Sequence, residues 1–338
     1  MTRMAREAAE AADGARRQLE RCGPQLRDLG NRLRDRPPAV VVTCARGSSD
    51  HAATYGKYLL ELTAGCVVAS VGPSVATSYR RAPIDDRALF IAISQSGASP
   101  DLLALTAAAR AGGALTIAFV NDESSPLAAA CDVMFPLCAG EERSVAATKS
   151  FLLAGVAFLQ LAAAWTDSAE LHDAVAATPA ALTAAAALDW TPALQSLVSA
   201  TSLYVLGRGV GLAAALEIAL KLKETCRLHG EAFSLAEVLH GPLALVDRGF
   251  PIIALGQDDA TTEPTRETLA RLVSLGAEVR STLAVAGTAL LPTVPAISPL
   301  LAPLCQVQSC YLALPKLAAA RGLDPDAPPH LAKITRTR

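Results

Sequence analysis

The stretch ISQSGASPD, residues 93–101, gathers three serines, a glutamine and a glycine in a chain otherwise rich in alanine and leucine. The apolar run ALFIAI ahead of it has the length of a buried strand, and DLLALTAAARAGG behind it repeats apolar residues at helical spacing before paired glycines. This places Ser99 as an N-cap and Pro100 at the first helical position, where its missing N–H costs nothing. A strand-to-helix turn of that kind leaves backbone N–H groups free and favours an anion, phosphate above all. The hydroxyls of Ser94, Ser96 and Ser99 are candidate donors to it. A second such turn, ARGSSDHA at residues 45–52, adds Ser48 and Ser49.

Three further groups have the types that proton transfer needs. Glu217, Lys221 and Glu224 fall at i, i+4 and i+7 of a helical stretch and share one face. On an arbitrary helix that spacing reads first as a solvated salt-bridge stripe. His240 sits in EVLHGPLAL, just before a glycine and a proline. Lys333 lies in an irregular tail with two prolines ahead of it, where an ordered segment would bring the amine over a substrate as a Schiff-base partner or lid contact. Leu331 and Ala332 are apolar enough to dock that tail. His51, His229 and His330 are weaker candidates, and His172 beside Asp173 reads as solvated. No two histidines are spaced as metal ligands with carboxylate or cysteine support, so neither a metal nor a cofactor is expected.

The elements that must carry these residues alternate. Residues 4–35 read as one or two helices broken near Gly23-Pro24. Strands are expected at 39–44, in CVVASVG after Gly65, at 88–93, 114–120 and 133–138, with helices between them. An alanine-rich helical stretch, Phe151 to Leu188, precedes a second round. It has strands at 202–207 and 250–256, a long helix LAAALEIALKLKETCRLHG, two more strands in AEVRSTLA and ALLPTV, and a closing helix over 298–321. This is the pattern of doubly wound parallel sheets. The expected organisation is an N-terminal helical segment (1–36), a first α/β domain (37–188), a second (189–322) and a tail (323–338).

The two rounds look like an internal duplication. SQSGASPD in the first corresponds to GQDDATTEP in the second, which loses most of the hydroxyls and gains Asp258 and Asp259. Two carboxylates at one turn repel a dianion by about 1 kcal/mol each even when solvated. One copy is therefore expected to hold phosphate, and the other is not.

Composition narrows the function classes. With 51% hydrophobic and 18% charged residues in 338, the chain has ample core for about two domains. A formal net charge of −2 and 4% aromatics give no footprint for nucleic acid or an anionic membrane. Eight scattered cysteines without CxxC spacing read as reduced thiols in a cytoplasmic protein. The charged N-terminal stretch is no secretory signal, and no run of about 18 uninterrupted apolar residues suggests a membrane span.

SQSGASPD and ARGSSDHA, together with AGEERSVAATKSF, ALEIALKLKE, EVLHGPLAL and the tail HLAKI, resemble the sugar isomerase (SIS) domain family over nearly the whole chain. The likeness is to tandem-SIS proteins: the isomerase half of glucosamine-6-phosphate synthase, and more narrowly the SIS-type glucosamine-6-phosphate deaminases. It implies two flavodoxin-like SIS domains in tandem and a homodimer with shared active sites. It puts the sugar phosphate on Ser48, Ser49, Ser94, Gln95, Ser96 and Ser99, with Val145 and Ala332 lining the sugar. It makes Glu224 the base between C1 and C2, Lys221 its charge partner, His240 the ring-opening group contributed by the neighbouring subunit, and Lys333 the active-site lysine. Ala147 stands where the synthase pattern has serine, which favours the deaminase-like branch. The implied reaction is glucosamine 6-phosphate and water to fructose 6-phosphate and ammonia. The alternatives are another aldose–ketose or amination reaction, a sugar-phosphate deglycase, and a non-catalytic sensor, against which the joint presence of Glu224, Lys221 and His240 argues.

Overall fold

The computed structural model describes residues 1–81, 83–295 and 297–333. Two helices open the chain, α1 (Arg3–Ala9) and α2 (Ala11–Asp35). The break falls at Glu10, and α2 runs straight through Gly23-Pro24, which corrects the expected boundary. Pro24 is exposed, so the carbonyl that loses its N–H partner faces the solvent side. There follow β1 (Val40–Cys44), α3 (Ser48–Thr63), β2 (Val68–Ser70), α4 (Ser74–Thr77), β3 (Ala88–Ser94), α5 (Pro100–Ala111), β4 (Leu115–Val120), α6 (Pro126–Ala130) and β5 (Val133–Pro136). Then come α7 (Lys149–Thr166), α8 (Ala169–Ala186), α9 (Thr191–Leu194), β6 (Ser202–Gly207), α10 (Gly211–Cys226), β7 (His229–Ser234), β8 (Pro251–Leu255), α11 (Thr262–Ser274), β9 (Glu278–Ser281), β10 (Ala289–Leu290) and α12 (Ala302–Ala320).

The strands form two five-stranded sheets, ordered β2-β1-β3-β4-β5 and β10-β9-β8-β6-β7, and every pairing is parallel. The fold is thus α/β with two parallel sheets, as the alternation implies. Chain order reverses between β1 and β3 in the first sheet and between β6 and β8 in the second. In open parallel sheets, the carboxyl ends at such a reversal are where ligands bind. One strand was missed. His229 and Gly230 were expected as the end of the long helix, and His229–Ser234 instead form β7, because Arg227 takes a left-handed backbone (φ 48°) that stops α10.

Two compact units divide the chain: residues 1–9, 144–148 and 180–330, and residues 10–143, 149–179 and 331–338. In the second of these, α7 packs against α2 and α3. By length and composition α7 could cross a bilayer, but 94% of that window is buried inside the protein. Its apolar character is that of a core helix. The approach of α2 to α7 is close: a Cβ on Gly30 would lie 2.1 Å from the Ala164 carbonyl oxygen, and one on Gly56 of α3 would lie 2.4 Å from the Phe158 ring.

The eight cysteines are free thiols. Burial pushes most of them up, Cys44 to about 12. Cys138 goes the other way, to about 7, chiefly through a hydrogen bond from the Cys22 thiol and against the effect of its own burial.

Gly30→Ala should lower stability by about 1–3 kcal/mol in urea unfolding, since the backbone of α7 must shift to admit one methyl. Alkylation by iodoacetamide, followed by mass spectrometry, should label half-buried Cys138 first, with a rate that rises through pH 7. Preferential labelling of Cys44 or Cys310 would contradict this packing.

Candidate functional site

Two clusters stand at the places the sequence marks. The first lies at the carboxyl ends of β1 and β3. Gly47 (φ 55°) lets the chain turn from β1 into α3, so Ser48 and Ser49 form the first turn of that helix, half-buried. Gly97 (φ 59°) does the same after β3, where a Cβ would sit 2.2 Å from Ser125 Oγ. Ser94 is buried, and its Oγ accepts from the Gly97 N–H at 3.0 Å, so it shapes the turn while its own proton stays available. Gln95, Ser96 and Ser99 are half-buried around it. Ser99 is the N-cap of α5 with Pro100 in the first turn, as expected, but its hydroxyl makes no cap bond.

A link invisible in the sequence ties the two turns together. Arg46 donates from Nε and Nη2 to Asp101 Oδ2, at 3.0 and 2.8 Å. The Asp101 side chain is only 2% exposed. A guanidinium from the first turn is thereby held on a buried carboxylate of the second, which fixes their spacing. Burial also pushes the Asp50 carboxyl up, against the pull of His51 and Arg46. An acid that protonates more readily repels a nearby phosphate less.

The matching turns of the other sheet are built differently. A Cβ on Gly207 would lie 2.2 Å from the Gly211 carbonyl oxygen, so the β6–α10 turn is closed on itself. Asp259 spends its carboxylate locally, accepting from the Thr261 N–H and Oγ1 at 2.7 and 2.6 Å and from Gln257 Nε2 at 2.9 Å. Asp258 is exposed.

The second cluster is on α10. Glu217 and Lys221 both have side chains with 0% exposure, their charged atoms 3.5 Å apart, and the Lys221 ammonium also donates to Glu224, 19% exposed. A solvated stripe is ruled out by this burial. Tyr311 of α12, itself fully buried, donates its hydroxyl to Glu217 Oε1 at 2.6 Å. The order Tyr311, Glu217, Lys221, Glu224 therefore runs from the core to a carboxylate that reaches solvent. Carboxylates that must move protons need this kind of partial burial beside a fixed cation.

The remaining candidates each have surroundings of their own. His240 is exposed, between short 3-10 turns at Glu237–Leu239 and Gly241–Leu245. Val145 is half-buried and Ala332 exposed. Lys333 is ordered, with its Nζ 3.0 Å from Glu142 Oε2. Tyr311, Glu142 and the Arg46–Asp101 pair were not among the sequence candidates, and no spacing within the chain points to them. Among the described residues no group of three or more His, Cys, Asp or Glu is placed to hold a metal.

Residues 38–164 and 196–292 match the model of the SIS domain. The chain belongs to the SIS domain family. Its two sheets are thus tandem SIS folds. Among curated relatives, the glutamine–fructose-6-phosphate aminotransferase [isomerizing] of Legionella pneumophila (strain Lens) is 35% identical over 309 residues. That match covers 87% of this SIS chain and 50% of the relative, so the chain spans about half the length of the curated relatives it matches. A crystal structure from Silicibacter pomeroyi DSS-3, whose name proposes a phosphosugar isomerase, is 42% identical with a TM-score of 0.92, covering 96% of this chain and 100% of that one. Glucosamine-6-phosphate deaminase from Thermotoga maritima shares the fold at 21% identity and a TM-score of 0.79, covering 99% and 100%.

Lys221→Met should destabilise this SIS protein by about 3–5 kcal/mol, because it leaves the buried Glu217 carboxylate without its cation. Chemical unfolding measures this. A loss below about 1 kcal/mol would mean that the pair is open to water.

Proposed function

We propose that the protein is an amino-sugar phosphate deaminase and isomerase, converting glucosamine 6-phosphate and water to fructose 6-phosphate and ammonia. The observation that carries this reading is the position of Glu224. It is the one member of the Lys221 cluster with appreciable exposure, beside an ammonium that the buried Glu217 helps hold in place.

In this reading the phosphate ester is held by the hydroxyls of Ser48, Ser49, Ser94, Ser96 and Ser99, by Gln95, and by the free N–H groups that open α3 and α5. Val145 and Ala332 line the sugar. Once the ring is open, the amine and the aldehyde make the C2 proton acidic. Glu224 takes the C2 proton while the aldehyde oxygen gains a proton from solvent, leaving an enolamine across C1 and C2. Glu224 then returns a proton to C1 as the nitrogen gives one up to solvent. This turns the 2-amino aldehyde into a 2-imino alcohol. Water adds to C2, and the C–N bond breaks with release of ammonia. Lys221 keeps the charge of Glu224 balanced through both transfers. The amine itself makes C2 labile, so these residues suffice for the proton steps.

His240 opens the pyranose in this scheme. Its exposure leaves it available to a second copy of the chain, and a homodimer sharing its sites is part of the reading. Lys333 serves as the amine of the tail. The Silicibacter pomeroyi relative, matched along its full length, supports a phosphosugar substrate, and the name of the Thermotoga maritima structure supports the amino sugar.

Purified protein given glucosamine 6-phosphate should release ammonia and fructose 6-phosphate in equal amounts. Glu224→Gln should lower kcat by about 10²- to 10⁴-fold with substrate still bound. Full activity in that variant would remove the base assignment, and tight binding without turnover by the unaltered protein would make it a sensor.

A further inference from the structure

Glu142 is a carboxylate with 0% side-chain exposure, in the segment that joins β5 to α7. Its Oε1 accepts from the backbone N–H of Ser150 at 3.1 Å, and its Oε2 from the Ser150 hydroxyl at 2.8 Å. Ser150 lies in the first turn of α7, where N–H groups lack partners within the helix and where the helix dipole favours a negative charge. The helix therefore fixes the Glu142 carboxylate whatever the rest of the chain does. To that fixed charge the C-terminal segment brings Lys333, whose Nζ donates to Oε2 at 3.0 Å and whose side chain is 24% exposed.

A terminal segment ordinarily stays mobile unless something ties it down, since ordering its backbone costs about 1–2 kcal/mol per residue. Here Leu331 and Ala332 are exposed and bury little. Among the described residues of the segment, the ion pair on a pre-set, buried acceptor is the contact that holds it. A buried carboxylate offered to a long, flexible amine also selects one position for its nitrogen.

We propose that Glu142 is the positioning residue for Lys333, a docking point that anchors the C-terminal strap and sets where its amine sits. The functional half of this inference rests on the reading of Lys333 as an active-site amine. The docking half does not.

Limited trypsin digestion tests the docking directly, because cleavage after Lys333 requires that side chain to leave Glu142. Intact mass separates chains ending at Lys333 from those cut after Arg336, which serves as the internal reference. Glu142→Gln keeps an acceptor for the Ser150 N–H in its amide oxygen and puts an uncharged NH2 where Oε2 meets Lys333. It should speed cleavage after Lys333 by about 10- to 100-fold, the loss expected for one charged hydrogen bond. Lys333→Arg, which trypsin also recognises, should stay protected. Equal protection in Glu142→Gln and the unaltered protein would overturn the docking.

If Glu142→Gln unfolds, Lys333→Met leaves the helix start untouched, and hydrogen exchange at residues 331–333 should rise about tenfold or more. Unchanged exchange would again overturn it. Turnover of glucosamine 6-phosphate tests the positioning role: Glu142→Gln should lower kcat about tenfold or more with little change in KM, and Glu142→Asp, which keeps the charge, should retain more of the activity. A freed strap with unchanged kcat would overturn the positioning role. An unaltered protein inactive on this sugar would instead reject the functional reading, leaving the proteolysis result to judge the docking.

Discussion

A lysine ammonium with no exposure to water is a costly group to bury, and its satisfaction dictates much around it. Taken from water alone, such a charge costs several kcal/mol even after relaxation. Lys221 is kept by two carboxylates of its own helix, at i−4 and i+3. Glu217 is in turn kept by the Tyr311 hydroxyl, so α12 must lie against α10 at that level for the chain of partners to close. Of these four side chains, Glu224 is the one with an outlet to solvent. A site whose charge is poised at one exposed carboxylate is suited to take and return a proton without rearranging its surroundings.

The two sheets show how one scaffold yields two fates. Parallel strands with helices on both faces present helix N-termini at their carboxyl ends in either half. In the first sheet the turns stay open, lined with serines and braced by Arg46 on Asp101. In the second, the Gly207–Gly211 approach and the bonds of Asp259 fill the turn with the chain's own groups. Occupancy thus stands beside charge as a difference between the two turns. That refines the repulsion argument made from Asp258 and Asp259 alone, since one of those carboxylates is a turn-building group.

What could be read beforehand follows from what is local. The strands β1, β3, β4, β6 and β8 are buried on both faces, so they stand out as short unbroken apolar runs. β7 lies at a sheet edge, half-exposed, with the polar sequence HGEAFS, and only the left-handed Arg227 and then Leu228 separate it from α10. Gly23-Pro24 reads as a helix break because proline removes a hydrogen bond, yet packing of α2 on α7 holds the helix through it. The serine turns and the Glu217–Lys221–Glu224 spacing were legible as patterns. Their burial was not, because the same spacing serves equally on a solvated face. Tyr311 and Glu142 meet their partners 94 and 191 residues away, and nothing in their neighbourhoods announces it.

The central claim is that Glu224 carries a proton between adjacent sugar carbons, and solvent isotope incorporation reads that step itself. Glucosamine 6-phosphate turned over in heavy water should give fructose 6-phosphate with deuterium at C1, seen by NMR, because a carboxylate exchanges its proton with solvent between the two transfers. Fructose 6-phosphate formed without deuterium at C1, or deuterium entering as fast with Glu224→Gln as with Glu224, would contradict the account.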